Sequence, residues 1–233
     1  MDASIERTFV GVGKNDVDTI NTWSLFAEMG MSSPTQNWDD LLKHNRILII
    51  SEAGAGKTYE CRKKANQLLN LGRPSFFIDL SALALTQDLH HLFHQEEKIR
   101  FNEWIDSETE TATFFLDSLD ELNLNPHLFK VAINVFNETI KYHLDRTQII
   151  LTTRPTPFDR QYVQEQLRVP QKAQKTLITK DLTHTTITDL PLHPEHENNL
   201  PKSDWDIVLL TPLNEQQIID FCRYQNISNP EKL

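Results

Sequence analysis

The chain has 233 residues and is 39% hydrophobic, enough for one α/β domain with attachments and a sizeable core. Its net charge of −10, from 23 basic and 33 acidic residues, argues against a broad nucleic-acid footprint. Two distant cysteines, Cys61 and Cys222, make neither a disulfide framework nor a metal spacing, the N-terminus has no signal-peptide pattern, and no stretch nears the roughly 18 apolar residues of a bilayer span. Reduced thiols and a cytoplasmic location are therefore expected, with no membrane partner.

Phe9 to Gly13 reads as a short strand or loop. Asp16 or Asp18 caps a helix whose apolar stripe is Ile20, Trp23, Leu25, Phe26 and Met29, and Gly30 ends it. Ser32 to Thr35 is a turn, and Trp38 to Leu42 a short helix that packs toward the edge of a sheet. Ile47 to Ile50 is a buried strand, followed by Ser51-Glu-Ala-Gly-Ala-Gly-Lys-Thr58 and a helix over Tyr59–Leu71. Strand, Gly-containing loop, Gly-Lys-Thr and helix form the context of a phosphate-binding loop. Gly54 and Gly56 let successive backbone N–H groups turn toward phosphate oxygens, and the helix N-terminus adds partial positive charge. The candidate nucleotide-binding residues are Glu52, Ala53, Gly54, Ala55, Gly56, Lys57, Thr58 and Tyr59. Lys57 would reach the β- and γ-phosphates and the Thr58 hydroxyl would ligate Mg²⁺. Ser51 stands where the full pattern has Gly, a minor cost for a small side chain. The bland alternative is a chance Gly-Lys-Thr in an ordinary loop, which the flanking strand and helix disfavour. Arg62, Lys63, Lys64 and Arg73 read as a solvated helix face.

Gly72-Arg-Pro74 breaks the chain, and Ser75 to Leu80 is the second strand. Leu83 to about Ser107 is mainly helical. His90 and His94 could share a face there and hold a metal, but no third ligand is evident, so packed or exposed histidines are the simpler reading. Thr111 to Leu122 is the second informative stretch. An apolar strand ends in Asp117, and Asp120 and Glu121 follow at +3 and +4. An acidic turn after a strand is weak evidence alone. Placed 60 residues after Lys57, with a strand and helix between, it has the form of a Walker B arrangement. Asp117 is the second candidate metal residue besides Thr58. Asp120 and Glu121 are candidate catalytic groups that orient or deprotonate an attacking water.

Pro126 to about Leu144 is a helix with Leu128, Val131, Val135 and Phe136 on its apolar side. Thr147 to Pro155 is the next strand, and Arg154 near its end is the third catalytic candidate, placed to reach a γ-phosphate. A surface arginine is an equal reading on position alone. Residues 156–204 change character, with frequent Gln, Thr, His, Pro and Asn. Phe158 to Leu167 forms a helix there, and the rest reads as a hairpin or a long, partly mobile insertion in which His193 and His196 are solvated. Asp206 to Leu210 is a fifth strand, and Asn214 caps a final helix running through Ile218, Ile219, Phe221 and Cys222.

Ser51–Thr58, Phe115-Leu-Asp-Ser-Leu-Asp-Glu-Leu122, Leu151-Thr-Thr-Arg-Pro155 and Leu210-Thr-Pro-Leu213 together resemble a NACHT NTPase of the STAND class. The small Ser118 after Asp117, the pair Asp120-Glu121 and the Thr-Thr-Arg-Pro stretch carry most of the likeness, and Trp38–Leu42 with Glu60 resemble bacterial members. The resemblance covers about residues 38–225 and is weakest across 159–204. It implies an α/β fold: a three-layer P-loop NTPase whose five-stranded parallel sheet, in the order 5-1-4-3-2, is flanked by helices. It also implies ATP or GTP with Mg²⁺, slow hydrolysis, and a nucleotide-dependent switch for self-oligomerisation or for a partner chain with effector or sensor parts, as in bacterial antiphage defence. The expected organisation is a lead-in over 1–44, a core over 45–212 with an insertion at about 159–204, and the start of a further helical region over 213–233. Residues 1–40 are short for an effector and no sensor repeats follow, so a truncated product, an excised segment or a reduced member is expected. The alternative of another class is a non-catalytic structural or interaction module in which the motifs are relics.

Overall fold

The computed structural model describes residues 5–12, 34–117, 119–122, 125–156, 158–169 and 205–224. The chain begins with β1 (Phe9–Gly11) and β2 (Thr35–Gln36), then a one-turn helix α1 (Trp38–Leu41). Next come β3 (Arg46–Ile50), α2 (Lys57–Asn70), β4 (Ser75–Asp79), α3 (Leu80–Thr86) and α4 (Gln95–Asp106). They are followed by β5 (Ala112–Asp117), a short α5 (Leu119–Leu122), α6 (Pro126–Ile140) and β6 (Thr147–Thr153). The last elements are α7 (Arg160–Gln166), β7 (Asp206–Leu210) and α8 (Glu215–Tyr224).

The strands form one mixed sheet of seven, ordered β2-β1-β7-β3-β6-β5-β4 and flanked by helices. β3 pairs in parallel with β6 and with β7, β5 with β6, and β4 with β5, whereas β1 is antiparallel to both β7 and β2. The expected five-stranded, all-parallel sheet is thus corrected to a seven-stranded mixed one. The reason lies in the lead-in. Phe9 and Val10 are buried, and their strand covers the edge that β7 would otherwise leave unpaired.

Every residue of β3 and of β6 is buried, as expected for strands covered on both faces. Alternation divides β3 between two cores: Leu48 and Ile50 face a large cluster with Phe76, Phe101, Trp104, Phe114 and Phe136, while Ile47 and Ile49 face a smaller one with Phe9, Trp38, Cys61, Ala65 and Leu68. α2 closes the smaller cluster. α3, α4 and α6 close the larger one through Leu83, Phe101 and Phe129. Arg46 is fully buried at the start of β3, with its guanidinium donating to the carbonyls of Thr147, Leu144 and Leu167.

The stretch from Leu83 to Ser107 is mainly helical, as expected, in three pieces rather than one. Asp79 caps α3, which ends at Gln87 in the left-handed region with φ +52°. Asp88 then caps a 3-10 turn at Leu89–Leu92, and His94 opens α4. At the first break the Asp88 side chain, and at the second the Glu97 carboxylate that accepts from the His94 N–H at 2.8 Å, favour a new start over helix continuation. The helix read from Asp16 to Gly30, the turn residues Ser32 and Ser33, the insertion from residue 170 to 204 with His193 and His196, and Ser118 lie outside the described residues, while Thr35, read as the end of that turn, opens β2.

Candidate functional site

The parallel strands β3, β5 and β6 deliver their C-terminal ends to one edge, where open α/β sheets place ligands. Ser51 extends the β3–β6 pairing by one step, its N–H donating to the Thr153 carbonyl at 3.2 Å. The chain then turns through Gly54 at φ +77° and Gly56 at φ +89°, a region an L side chain enters only with strain. Gly56 opens α2 and, having no side chain, does not cap the helix itself.

Lys57 folds back over the loop, its Nζ donating to the carbonyls of Ser51 at 2.7 Å and Glu52 at 3.1 Å. Beside it, the Thr58 hydroxyl donates to Asp117 Oδ2 at 2.6 Å. The Thr152 hydroxyl of β6 donates to the other carboxylate oxygen, Oδ1. Asp117 is only 2% exposed, and the two hydroxyls give its buried carboxyl group hydrogen-bond partners. A cavity of about 550 Å³ opens here, lined by Ala53 to Tyr59 with Arg62, Asp117 and Arg154. A second, mostly apolar cavity of about 400 Å³ lies across the same loop, lined by Arg7, Ser51 to Ala55, Leu210, Pro212, Leu213 and Ile218.

The structure therefore brings together Glu52, Ala53, Gly54, Ala55, Gly56, Lys57, Thr58, Tyr59, Asp117 and Arg154 at one strand edge. Asp120 and Glu121 fall in α5, directly after β5, and their side chains are outside the described set. His90 and His94 do not share a helical face. His90 sits in the 3-10 turn with its ring edge-on to Phe101, and His94 is the N-cap of α4. Among the described residues no group of three or more His, Cys, Asp or Glu could hold a metal. Thr58 and Asp117 nevertheless fit a divalent cation of the Mg²⁺ type. They place two hard oxygens 2.6 Å apart on the wall of the cavity, and such ions complete their shell with water and substrate phosphates.

Three residues of this region were not assigned to it from sequence. Thr152 is one of several polar residues on a buried strand, and only the pairing of β6 with β5 aims it at Asp117. Arg62, read as a solvated helix residue, lies one turn beyond Thr58 on the cavity side, its guanidinium 4.5 Å from the Phe77 ring centre. Arg7 reaches the loop from near the N-terminus. It is 5% exposed, and burial lowers its pKa, a trend partly opposed by Glu60. Glu60 is itself pushed above the usual carboxyl range by burial, despite Lys63 and Arg7 nearby. The Cys61 thiol is raised well above its ordinary value, first by burial and then by Asp117 and Glu60, which leaves it an inert core group.

No family model matches the chain, and no curated protein or solved structure matches it either. The fold and the site geometry carry the functional reading. No helix among the described residues is long and apolar enough to cross a membrane.

Proposed function

We propose that the chain binds a nucleoside triphosphate with Mg²⁺, with ATP as the first candidate, and hydrolyses it slowly as a P-loop NTPase of the NACHT kind. The observation that carries this is the Thr58–Asp117 hydrogen bond, which ties the end of the glycine loop to the end of β5 inside a 550 Å³ cavity. Two sequence motifs separated by 60 residues meet there, in the arrangement that phosphoryl chemistry needs. The apolar cavity on the other side of the loop suits a base, so one ligand could span both.

In this reading the loop amides and the first turn of α2 hold the phosphates. Lys57 exchanges its two carbonyl partners for β- and γ-phosphate oxygens. Thr58 and Asp117 would hold the metal, with Thr152 fixing the carboxylate. When bound, such an ion would supply charge neutralisation at the phosphate oxygens. Asp120 and Glu121 position the attacking water, and Arg154 at the cavity wall reads the γ-phosphate. Nucleotide state then acts as a switch for oligomerisation or a partner chain, with bacterial antiphage defence as the setting. One observation favours the non-catalytic reading instead: Lys57 is already paired with carbonyls of its own loop, so the loop holds its shape alone.

Calorimetric titration of Mg-ATP and Mg-GTP separates the two readings. Binding by the parent that is lost in Lys57→Ala is the expected result. A folded parent that binds neither nucleotide would leave the scaffold reading standing.

A further inference from the structure

Arg7 is remote in sequence from every motif, yet it touches two parts of the candidate site at once. Its Nη1 donates to the Ala55 carbonyl of the phosphate loop at 3.0 Å, and its Nη2 donates to the Thr211 carbonyl after β7 at 2.7 Å. A Cβ at Gly56 would sit 3.4 Å from the same Nη1, so the guanidinium lies against the last turn of the loop. The neighbours of Arg7 hold the other end. The Thr211 N–H and hydroxyl both donate to the Thr8 carbonyl, at 3.0 and 2.9 Å, and the two threonine hydroxyls lie 2.7 Å apart. The Gln217 amide of α8 donates to the Glu6 carbonyl at 2.7 Å. Residues 6–8 are thus stapled to the β7–α8 junction, and Arg7 alone among them extends a side chain to the loop.

We infer that Arg7 is a positioning residue that couples the backbone of the phosphate loop to the β7–α8 junction, so that occupancy of the loop is transmitted to α8. The nucleotide part of this rests on the proposed function. The coupling itself does not. One planar cation bridges two carbonyls that belong to different elements, and the fork geometry of a guanidinium is what allows both bonds. A lysine offers a single nitrogen, which cannot sit within hydrogen-bond distance of both oxygens in the same way. The carbonyl of Ala55 lies between the two left-handed glycines, so its direction is tied to the loop's shape. A change in the loop on binding phosphate therefore pulls on Thr211, which lies three residues before Asn214, the residue whose side chain accepts from the Gln217 N–H at the start of α8.

The test is amide hydrogen exchange on the full chain, with Arg7→Met and Arg7→Lys beside the parent. Without nucleotide, both variants should exchange roughly tenfold faster in Glu52–Thr58 and in Glu215–Tyr224 together, the order expected for losing a hydrogen bond to a charged donor. Faster exchange in only one of the two segments would overturn the coupling. With Mg-ATP, the parent should slow exchange in both segments, and Arg7→Lys only in the loop. Equal protection of α8 in parent and Arg7→Lys would show that charge suffices and sink the bridging role. If the parent binds no nucleotide, the proposed function fails, and the nucleotide-free comparison still decides whether the two segments are coupled. Arg7→Lys keeps the charge and most of the side-chain volume, so it covers the case in which Arg7→Met does not fold.

Discussion

Asp117 is a buried carboxylate with two hydroxyl donors, one from the loop helix and one from the neighbouring strand. Removing Thr152's hydroxyl with Thr152→Val keeps the shape but leaves one carboxylate oxygen short of a donor. The expected cost is about 1–3 kcal/mol in urea unfolding, because a buried charge-assisted bond is lost. A change under about 0.5 kcal/mol, within the range of a neutral surface substitution, would mean that other groups already satisfy Asp117. Glu60 gives a pH prediction with a definite sign. Its folded pKa is raised by burial, so the native state binds more protons than the unfolded chain once pH exceeds about 4.3. Stability contributed by this group therefore falls as pH rises from the unfolded value to the folded one, and is flat above it. Glu60→Gln removes the titration, so its stability relative to the parent should rise across that window in denaturation curves taken at several pH values. A pH-independent difference would place the raised pKa elsewhere. Asp117 was legible in the sequence, because a strand ending in an acid at the right distance from Gly-Lys-Thr has a physical meaning. Thr152 and Arg7 were not, since their roles depend on which strands pair and on a contact spanning 48 residues from Arg7 to Ala55.

At the scale of elements, the caps decide where helices stop, and these were only partly readable. The box at Asn214, whose side chain accepts from the Gln217 N–H at 2.8 Å while Gln217 accepts from Asn214, follows a pattern visible in the sequence. The end of α4 does not. The carbonyls of Trp104 and Ile105 in its last turn accept hydrogen bonds at 2.8 and 3.1 Å from Arg146, which lies 42 and 41 residues further along the chain and stacks 4.6 Å from the Trp104 ring centre. Arg146 also donates to the Glu110 carbonyl at 3.0 Å, so one side chain closes the helix and fixes the strand entry after it. Arg146→Met keeps much of the apolar stem and removes all these donors. It should cost about 1.5–3 kcal/mol in chemical denaturation and speed amide exchange in the last turn of α4. Unchanged exchange there would show that solvent caps α4 as well as Arg146 does.

At the scale of the whole molecule, the sheet separates two cores of unequal size, and the smaller one sits under α2, the helix that follows the glycine loop. Five parallel strands were readable as apolar runs ending in polar or acidic residues. The two N-terminal strands were harder to see, since Thr35–Gln36 is too short to show alternation and Phe9–Gly11 resembles a loop with one apolar pair. Their contribution is concentrated in Phe9. It is fully buried, edge-on to Trp38 at 4.9 Å between ring centres, and Trp38 in turn packs edge-on to Phe115 of β5 at 5.9 Å. This aromatic chain shares its cluster with Cys61 and Ala65 of α2, so a cavity at Phe9 opens directly beneath the loop helix. Phe136, equally buried, belongs to the other cluster. Phe9→Ala and Phe136→Ala should each cost about 3–5 kcal/mol, a large share of the roughly 5–15 kcal/mol of an ordinary domain. They should differ in where the loss is felt. In native-state exchange Phe9→Ala should loosen β1 and α2 together and weaken Mg-nucleotide binding, whereas Phe136→Ala should loosen α6 and leave α2 protected relative to global unfolding. The same exchange pattern in both variants would mean that the two cores unfold as one unit and that the lead-in strand does not support the loop on its own.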